Sequence, residues 1–327
     1  MLIRSDANPI MVPNPGIPWQ ARKVYNPAVV KHDEMYKMYF RAVGDDWISR
    51  IGFAASEDGV NFIQTEAPVL IPKRPWEKMG CEDPRITRIN DKYLLTYTAF
   101  DGVTARAAVA TSRSLRHWNH RMLLLPDWQA NPRPDVSKDW SKGAVIYPEA
   151  FNGNHYLLFG DSQIWAATST DLKRWKAIEN PLINRRKGFF DEGYVETGPP
   201  PLLTDKGWLV LYHGIDRTDE LRTYYLGAAL FDRDDPLKLI WRCSQPVLEP
   251  TESYEKAGLL DIIEGGFITL KNLSVIEAQA LAHQHRLPRA VFCCGAVLED
   301  NGVRLYYGAA DSVICTATID LDSIFKL

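Results

Sequence analysis

Short runs of alternating apolar and polar residues recur along the chain in pairs, each pair joined by a few polar residues, which is the signature of antiparallel hairpins. Asn26-Pro27-Ala28-Val29-Val30 precedes Tyr36-Lys37-Met38-Tyr39-Phe40, and Asp83-Pro84-Arg85-Ile86 precedes Tyr93-Leu94-Leu95-Thr96-Tyr97; both step nine residues from proline to first tyrosine. Tyr147-Pro148-Glu149-Ala150 with Tyr156-Leu157-Leu158-Phe159, and Pro199-Pro200-Pro201-Leu202-Leu203 with Trp208-Leu209-Val210-Leu211-Tyr212, step eight. A fifth pair joins Phe292–Val297 to Val303–Tyr307. A second element follows the first three pairs: Ala54–Phe62, Ala110–Trp118 and Ala167–Trp175 each read as strand, turn and closing aromatic.

Three or four strands per repeat is the content of one propeller blade, and five such repeats fit 327 residues. The pattern therefore predicts an all-β chain, a single five-bladed β-propeller domain over residues 1–327, in preference to a two-sheet sandwich. One segment departs from it. Ser274-Val275-Ile276-Glu277 resembles a capping box and the run to Pro288 reads as a short helix, so a helical insertion is expected near 272–288.

Composition narrows the classes of partner. Net charge is −3 from 38 basic and 41 acidic residues, without the basic excess of a nucleic-acid binder, and no apolar run approaches a membrane span. Five cysteines without paired C-x-x-C elements, and no signal-like start, point to a reduced, cytoplasmic chain. Neither a P-loop, nor G-x-G-x-x-G, nor H-x-x-x-H is present, so no cofactor and no metal is expected. The 10 Trp, 14 Tyr and 12 Phe could serve as sugar-stacking platforms as well as core.

In a propeller the starts of the first hairpin strands converge at one mouth of the central channel. Those positions carry Asn26, Glu82, Asp83, Glu149 and Glu196, with the fifth near Cys294; Arg41, Arg85, Arg106, Tyr212 and His213 lie nearby in the pattern. Such an acid cluster suits acid/base chemistry on a polyhydroxylated ligand.

Several of these motifs together resemble glycoside hydrolase family 130. They are Val24-Tyr25-Asn26-Pro27-Ala28, Gly80-Cys81-Glu82-Asp83-Pro84-Arg85-Ile86, Gly198-Pro199-Pro200-Pro201, Gly207-Trp208-Leu209-Val210-Leu211-Tyr212-His213-Gly214 and Tyr306-Tyr307-Gly308-Ala309-Ala310-Asp311. The resemblance spans nearly the whole chain and implies a five-bladed propeller acting on β-mannosides, as a phosphorylase or a hydrolase. It implies Asp83 as general acid and Arg41 and Asp311 as sugar ligands. Family phosphorylases hold phosphate with a Lys before Gly-Pro-Pro, a His-Arg pair ending the third hairpin, and the histidine of Tyr-His-Gly. Here those positions fall on Tyr194, on Phe159-Gly160-Asp161, and on His213.

Substituting a phenol and two acids for cations disfavours an oxyanion. The expectation is thus an inverting β-mannoside hydrolase cutting short manno-oligosaccharides. Asp83 would be the acid and Glu196 the base that activates water across a gap of roughly 6.5–9.5 Å, with Glu264 as a second base candidate. The alternatives are a phosphorylase producing mannose 1-phosphate from inorganic phosphate held by Lys142, His213 and Arg185 or Arg186, and a catalytically silent glycan-binding propeller.

Overall fold

The computed structural model describes residues 1–128, 140–216, 223–256, 289–300 and 302–327. The segment expected to be helical and Glu264 lie outside the described residues. Within these residues the chain is nearly all strand, with two one-turn helices, α1 (Ser253–Lys256) and α2 (Leu321–Ile324).

After a short β1 (Leu2–Arg4), four strands follow in meander order: β2 (Lys23–His32), β3 (Met35–Val43), β4 (Ser49–Ser56) and β5 (Ile63–Gln64). The same order repeats in β6 (Gly80–Ile89), β7 (Lys92–Phe100), β8 (Ala105–Ser112) and β9 (Asn119–Leu123), and again in β10 (Val145–Ile146), β11 (His155–Phe159), β12 (Trp165–Ser169) and β13 (Lys176–Ala177). In the fourth unit Gly198-Pro199-Pro200-Pro201 splits the first strand into β14 (Tyr194–Thr197) and β15 (Leu202–Thr204), both paired with β16 (Gly207–Ile215) before β17 (Tyr224–Phe231) and β18 (Leu239–Arg242). The fifth unit is β19 (Val291–Glu299), β20 (Gly302–Ala309) and β21 (Val313–Ile319), and its outermost strand is β1, paired antiparallel with β21. A single parallel bridge, Ser49 to Gly80, joins the first two units into one sheet.

The repeated Ser after the third strand has a visible cause. Ser56, Ser112 and Ser169 are buried, and their hydroxyls accept backbone N–H groups of the turns that follow. The cores lie between neighbouring units: Tyr39 and Trp118 meet edge-to-face between the first and second, and Tyr147 and Trp208 between the third and fourth. First strands lie against one another, β2 touching β19 and β6, and β6 touching β10.

Three buried carboxylates fasten the outermost strand of a unit to the entry of its first strand. Glu77 accepts from Tyr97 Oη (2.7 Å) and Arg121 (2.7 Å). Asp191 accepts from Tyr212 Oη (2.7 Å) and Arg242 (2.6 Å), and Glu255 from Tyr307 Oη and Arg4 (both 2.8 Å). Each trio takes its tyrosine from the second long strand and its arginine from the edge. A buried carboxylate is tolerable only when paired and hydrogen-bonded in this way. Tyr212, expected among the substrate ligands, belongs to this fastening and faces away from His213, its neighbour on β16. The five cysteines are buried and none is in a disulfide.

Candidate active site

The first strands of units one, two and five each carry a bulge at the same place: Tyr25 to Ala28, Glu82 to Arg85, and Cys293 to Gly295. A bulge inserts an unpaired residue and re-aims its side chain. In the first two the inserted residue is Asn26 (φ 49°) or Asp83 (φ 45°) followed by proline, a left-handed backbone that Asn and Asp tolerate better than most residues. The two side chains meet, Asn26 Nδ2 donating to Asp83 Oδ1 at 2.8 Å.

Arg41 on β3 completes this half of the site. It donates to Asp83 Oδ1 (3.1 Å), to Glu82 Oε1 (2.7 Å) and through Nε to Ser49 Oγ (3.0 Å), and its guanidinium lies 4.8 Å from the Tyr25 ring centroid. Burial alone would raise the Asp83 pKa, but Arg41, Arg85, the Asn26 amide and Lys142 together hold it below the usual carboxylate range. Beside it, burial pushes the Glu82 carboxyl up despite Arg41. Asp311, at a left-handed turn (φ 50°) after β20, is raised by burial and opposed by Lys23 and Arg41.

The second half is built on β14. Glu196 is fully buried; its Oε2 lies 2.8 Å from Lys142 Nζ, and its Oε1 is 3.6 Å from Arg85. The Tyr194 hydroxyl sits between Glu196 Oε2 and Asp161 Oδ1 (2.8 Å), free to donate its single proton to either. Asp161 is 3.7 Å from Lys142. Burial would lower the Lys142 pKa, but Glu196 and Asp161 raise it above the ordinary lysine value, which favours the ammonium form. Gly143 (φ 71°) makes room for this packing, because a Cβ there would stand 2.9 Å from Glu196 Oε1. Tyr224 on β17, pushed up to about 12 by burial and the nearby carboxylates, closes the group against Tyr194 and Phe292.

Arg85 ties the halves together. Its Nε donates to the Gly198 carbonyl and its two Nη groups to those of Thr197 and Asp83, all at 2.9 Å, so the strand of Asp83 is fixed to the strand of Glu196.

Asn26, Arg41, Glu82 and Asp83 thus converge as the sequence predicts, with Asp311 within electrostatic reach. Five of the expected residues stand elsewhere. Arg85 spends its guanidinium on carbonyls inside the protein instead of facing a ligand. His213 is buried, stacked on Phe292 at 3.8 Å, with Nε2 accepting the Cys293 N–H at 2.9 Å; burial with Arg85 and Lys142 keeps it neutral. Arg106 pairs with Asp101 (2.7 Å), whose carboxylate also holds the turn at Val103 and Thr104. Glu149 is exposed, because in the third unit the strand end facing the site begins near Lys142, well before Pro148. Arg186 likewise belongs to the Asp191 fastening. Tyr224 and Phe292 were not anticipated; aromatics inside strands carry no mark that separates site from core.

This assembly of acids, guanidinium and phenols on bulged strands is that of a carbohydrate-processing site. A family model described as β-1,4-mannooligosaccharide phosphorylase matches residues 7–263, and the chain belongs to glycoside hydrolase family 130. Among its relatives, a 1,2-β-oligomannan phosphorylase of Thermoanaerobacter sp. is 31% identical over 99% of this chain and 98% of that protein. A β-1,2-mannobiose phosphorylase of the same organism is 32% identical over the same shares. One similar solved structure is described as coming from the family of mannoside phosphorylases that contains hydrolases targeting β-1,2 mannosidic linkages in Candida mannan. It is 28% identical with a TM-score of 0.81, covering 98% of this chain and 94% of that one.

Proposed function

We propose that the five meanders close about one axis as a single five-bladed propeller, and that the protein is a β-mannoside phosphorylase acting on short β-1,2-linked manno-oligosaccharides. The observation that carries the choice over hydrolysis is which member of the Lys142–Glu196 pair faces the site: the lysine side chain is 17% exposed and the glutamate 0%. A base for water must reach the water, and Glu196 lies beneath its own counter-ion. Phosphate brings its own nucleophilic oxygen and needs a cation, which Lys142 offers together with the phenol of Tyr224. The full-length relatives named as phosphorylases support the same reading and supply the linkage.

In the reaction a phosphate oxygen bonds to C1 of the mannosyl unit while the bond from C1 to the glycosidic oxygen breaks with inversion. The leaving oxygen takes a proton from Asp83, directly or through a sugar hydroxyl, and the proton of monohydrogen phosphate restores Asp83. Because Arg41 and Asn26 hold Asp83 ionised in the open site, a sugar must first cover it and remove the remaining water, which shifts the carboxyl upward.

One observation favours hydrolysis as the second reading: Glu196 and Asp161 already match the charge of Lys142. Incubation of β-1,2-mannobiose with and without phosphate decides between them. Phosphate-dependent mannose 1-phosphate is expected; free mannose released at the same rate in both mixtures would overturn the proposal.

A further inference from the structure

The turn between β3 and β4 presents Trp47 to solvent, 60% exposed and with φ 56°, a left-handed backbone that costs a bulky residue free energy. The turn around it is pinned. Asp45 accepts from Arg22 (2.6 Å), and Asp46 takes both Nη groups of Arg50 (3.0 and 2.6 Å) and the Ile48 N–H (3.1 Å). Gly44 passes so close to Pro18 that a Cβ would meet its carbonyl oxygen at 2.0 Å. The loop is therefore a rigid mount whose tip is one large aromatic face, and neither packing nor any hydrogen bond of the indole accounts for its outward position.

Its location connects it to the site. Ser49, two residues on, bonds both Arg41 and Glu82 through its hydroxyl, and its N–H donates to the Met79 carbonyl at the entry of β6. Met79 is itself 36% exposed and lies under Gly102, next to Val103, which is 74% exposed. Trp47, Met79 and Val103 are thus exposed apolar residues on segments that adjoin Ser49 and the entry of β6, the strand of Glu82 and Asp83. A ring face held rigid beside polar sugar ligands fits the C–H face of a pyranose.

We propose that Trp47 is a stacking platform for a mannosyl unit of the substrate chain lying beyond the two units at the cleavage point, so that the enzyme prefers oligosaccharides over the disaccharide. The inference rests on the mannoside-processing reading above and adds to it a residue that selects chain length. Stacking buries one face of the sugar and leaves the reacting atoms untouched, so its loss changes KM for longer chains and not kcat.

The test compares wild type, Trp47→Ala and Trp47→Phe on β-1,2-mannobiose and β-1,2-mannotetraose. Trp47→Ala is expected to raise KM for the tetraose roughly tenfold with mannobiose kinetics unchanged, and Trp47→Phe to restore most of the affinity. An equal effect on both substrates, or none on either, overturns the platform while leaving the activity standing. If wild type turns over neither substrate, the reaction proposed above fails by itself, and calorimetric titration with mannotetraose still decides: weaker binding to Trp47→Ala supports the platform, and unchanged binding refutes it.

Discussion

Replacing Glu196 with glutamine separates a counter-ion from a base. A phosphate oxygen bonded to Lys142 would stand about 2.8 Å beyond Nζ, and Glu196 Oε2 lies 2.8 Å on another side of the same atom. The two anions would then be about 5 Å apart, and at an effective dielectric of about 20 each unit of phosphate charge would be repelled by about 3 kcal/mol at most. With water at the exposed side of Lys142, about 1–3 kcal/mol is the working range, which converts to roughly 5- to 150-fold. Glu196→Gln removes that repulsion, leaves Lys142 with Asp161 at 3.7 Å, and keeps the side-chain shape. The KM for phosphate is therefore expected to fall by a factor within that range while turnover of the mannoside is retained. Loss of the buried pair should also lower the melting temperature, because an ion-pair partner has been removed from a position without solvent. Initial rates over a phosphate titration, with mannose 1-phosphate and mannose quantified separately, give the answer. Should the variant lose turnover a hundredfold or more with no change in phosphate dependence, Glu196 is the base and the counter-ion argument is wrong.

Asp83→Asn should reduce turnover about 10²- to 10⁴-fold while calorimetry still detects oligosaccharide binding; wild-type rates on an unactivated mannoside would remove Asp83 from the acid role. Tyr212→Phe should cost about 1.5–3 kcal/mol of stability, the value of a hydrogen bond to a buried carboxylate, with KM and kcat unmoved, and a selective KM effect would return Tyr212 to the substrate site. For His213 the sign follows from its depressed pKa: below the ordinary value of 6.5 the unfolded chain takes up a proton that the folded chain refuses, so stability falls with acid. The slope approaches about 1.4 kcal/mol per pH unit, and His213→Gln should flatten the denaturation midpoint between pH 7.5 and 5.5; parallel curves for the two proteins would show that His213 does not titrate on unfolding.

The repeat was legible because each unit reuses the same local chemistry. The Asn26-Pro27 and Asp83-Pro84 steps mark the bulges, and the serines after the third strands mark the turns, so both hairpin spacing and the Asn26–Asp83 meeting point could be read from residue order. The third unit misled because Pro148 resembles the other prolines but lies past the far end of β10, which carried Glu149 out to solvent. The placements of Tyr212 and His213 were hidden for a different reason. Successive strand residues face opposite sides, and nothing in Leu-Tyr-His-Gly tells which side packs against the next unit. Nor does a sequence show which end of an ion pair is covered, and that burial, on which the Glu196 reading turns, depends on where Gly143 and Tyr194 place the carboxylate.

The pairing of β1 with β21 has a consequence for biosynthesis. Leu2–Arg4 are synthesised before their partners Ala317–Ile319, which follow more than three hundred residues later. Until then the opening strand has no neighbour, Glu255 lacks Arg4, and the edge of β21 does not exist. The last sheet can therefore form only after synthesis has passed residue 319, and the early units must wait as folded or half-folded hairpins with an apolar flank uncovered. Contacts of such long sequence separation are slow to form, so the nascent chain stays aggregation-prone until β21 has been made and paired, and a substitution that blocks the pairing of Leu2–Arg4 would prolong that interval.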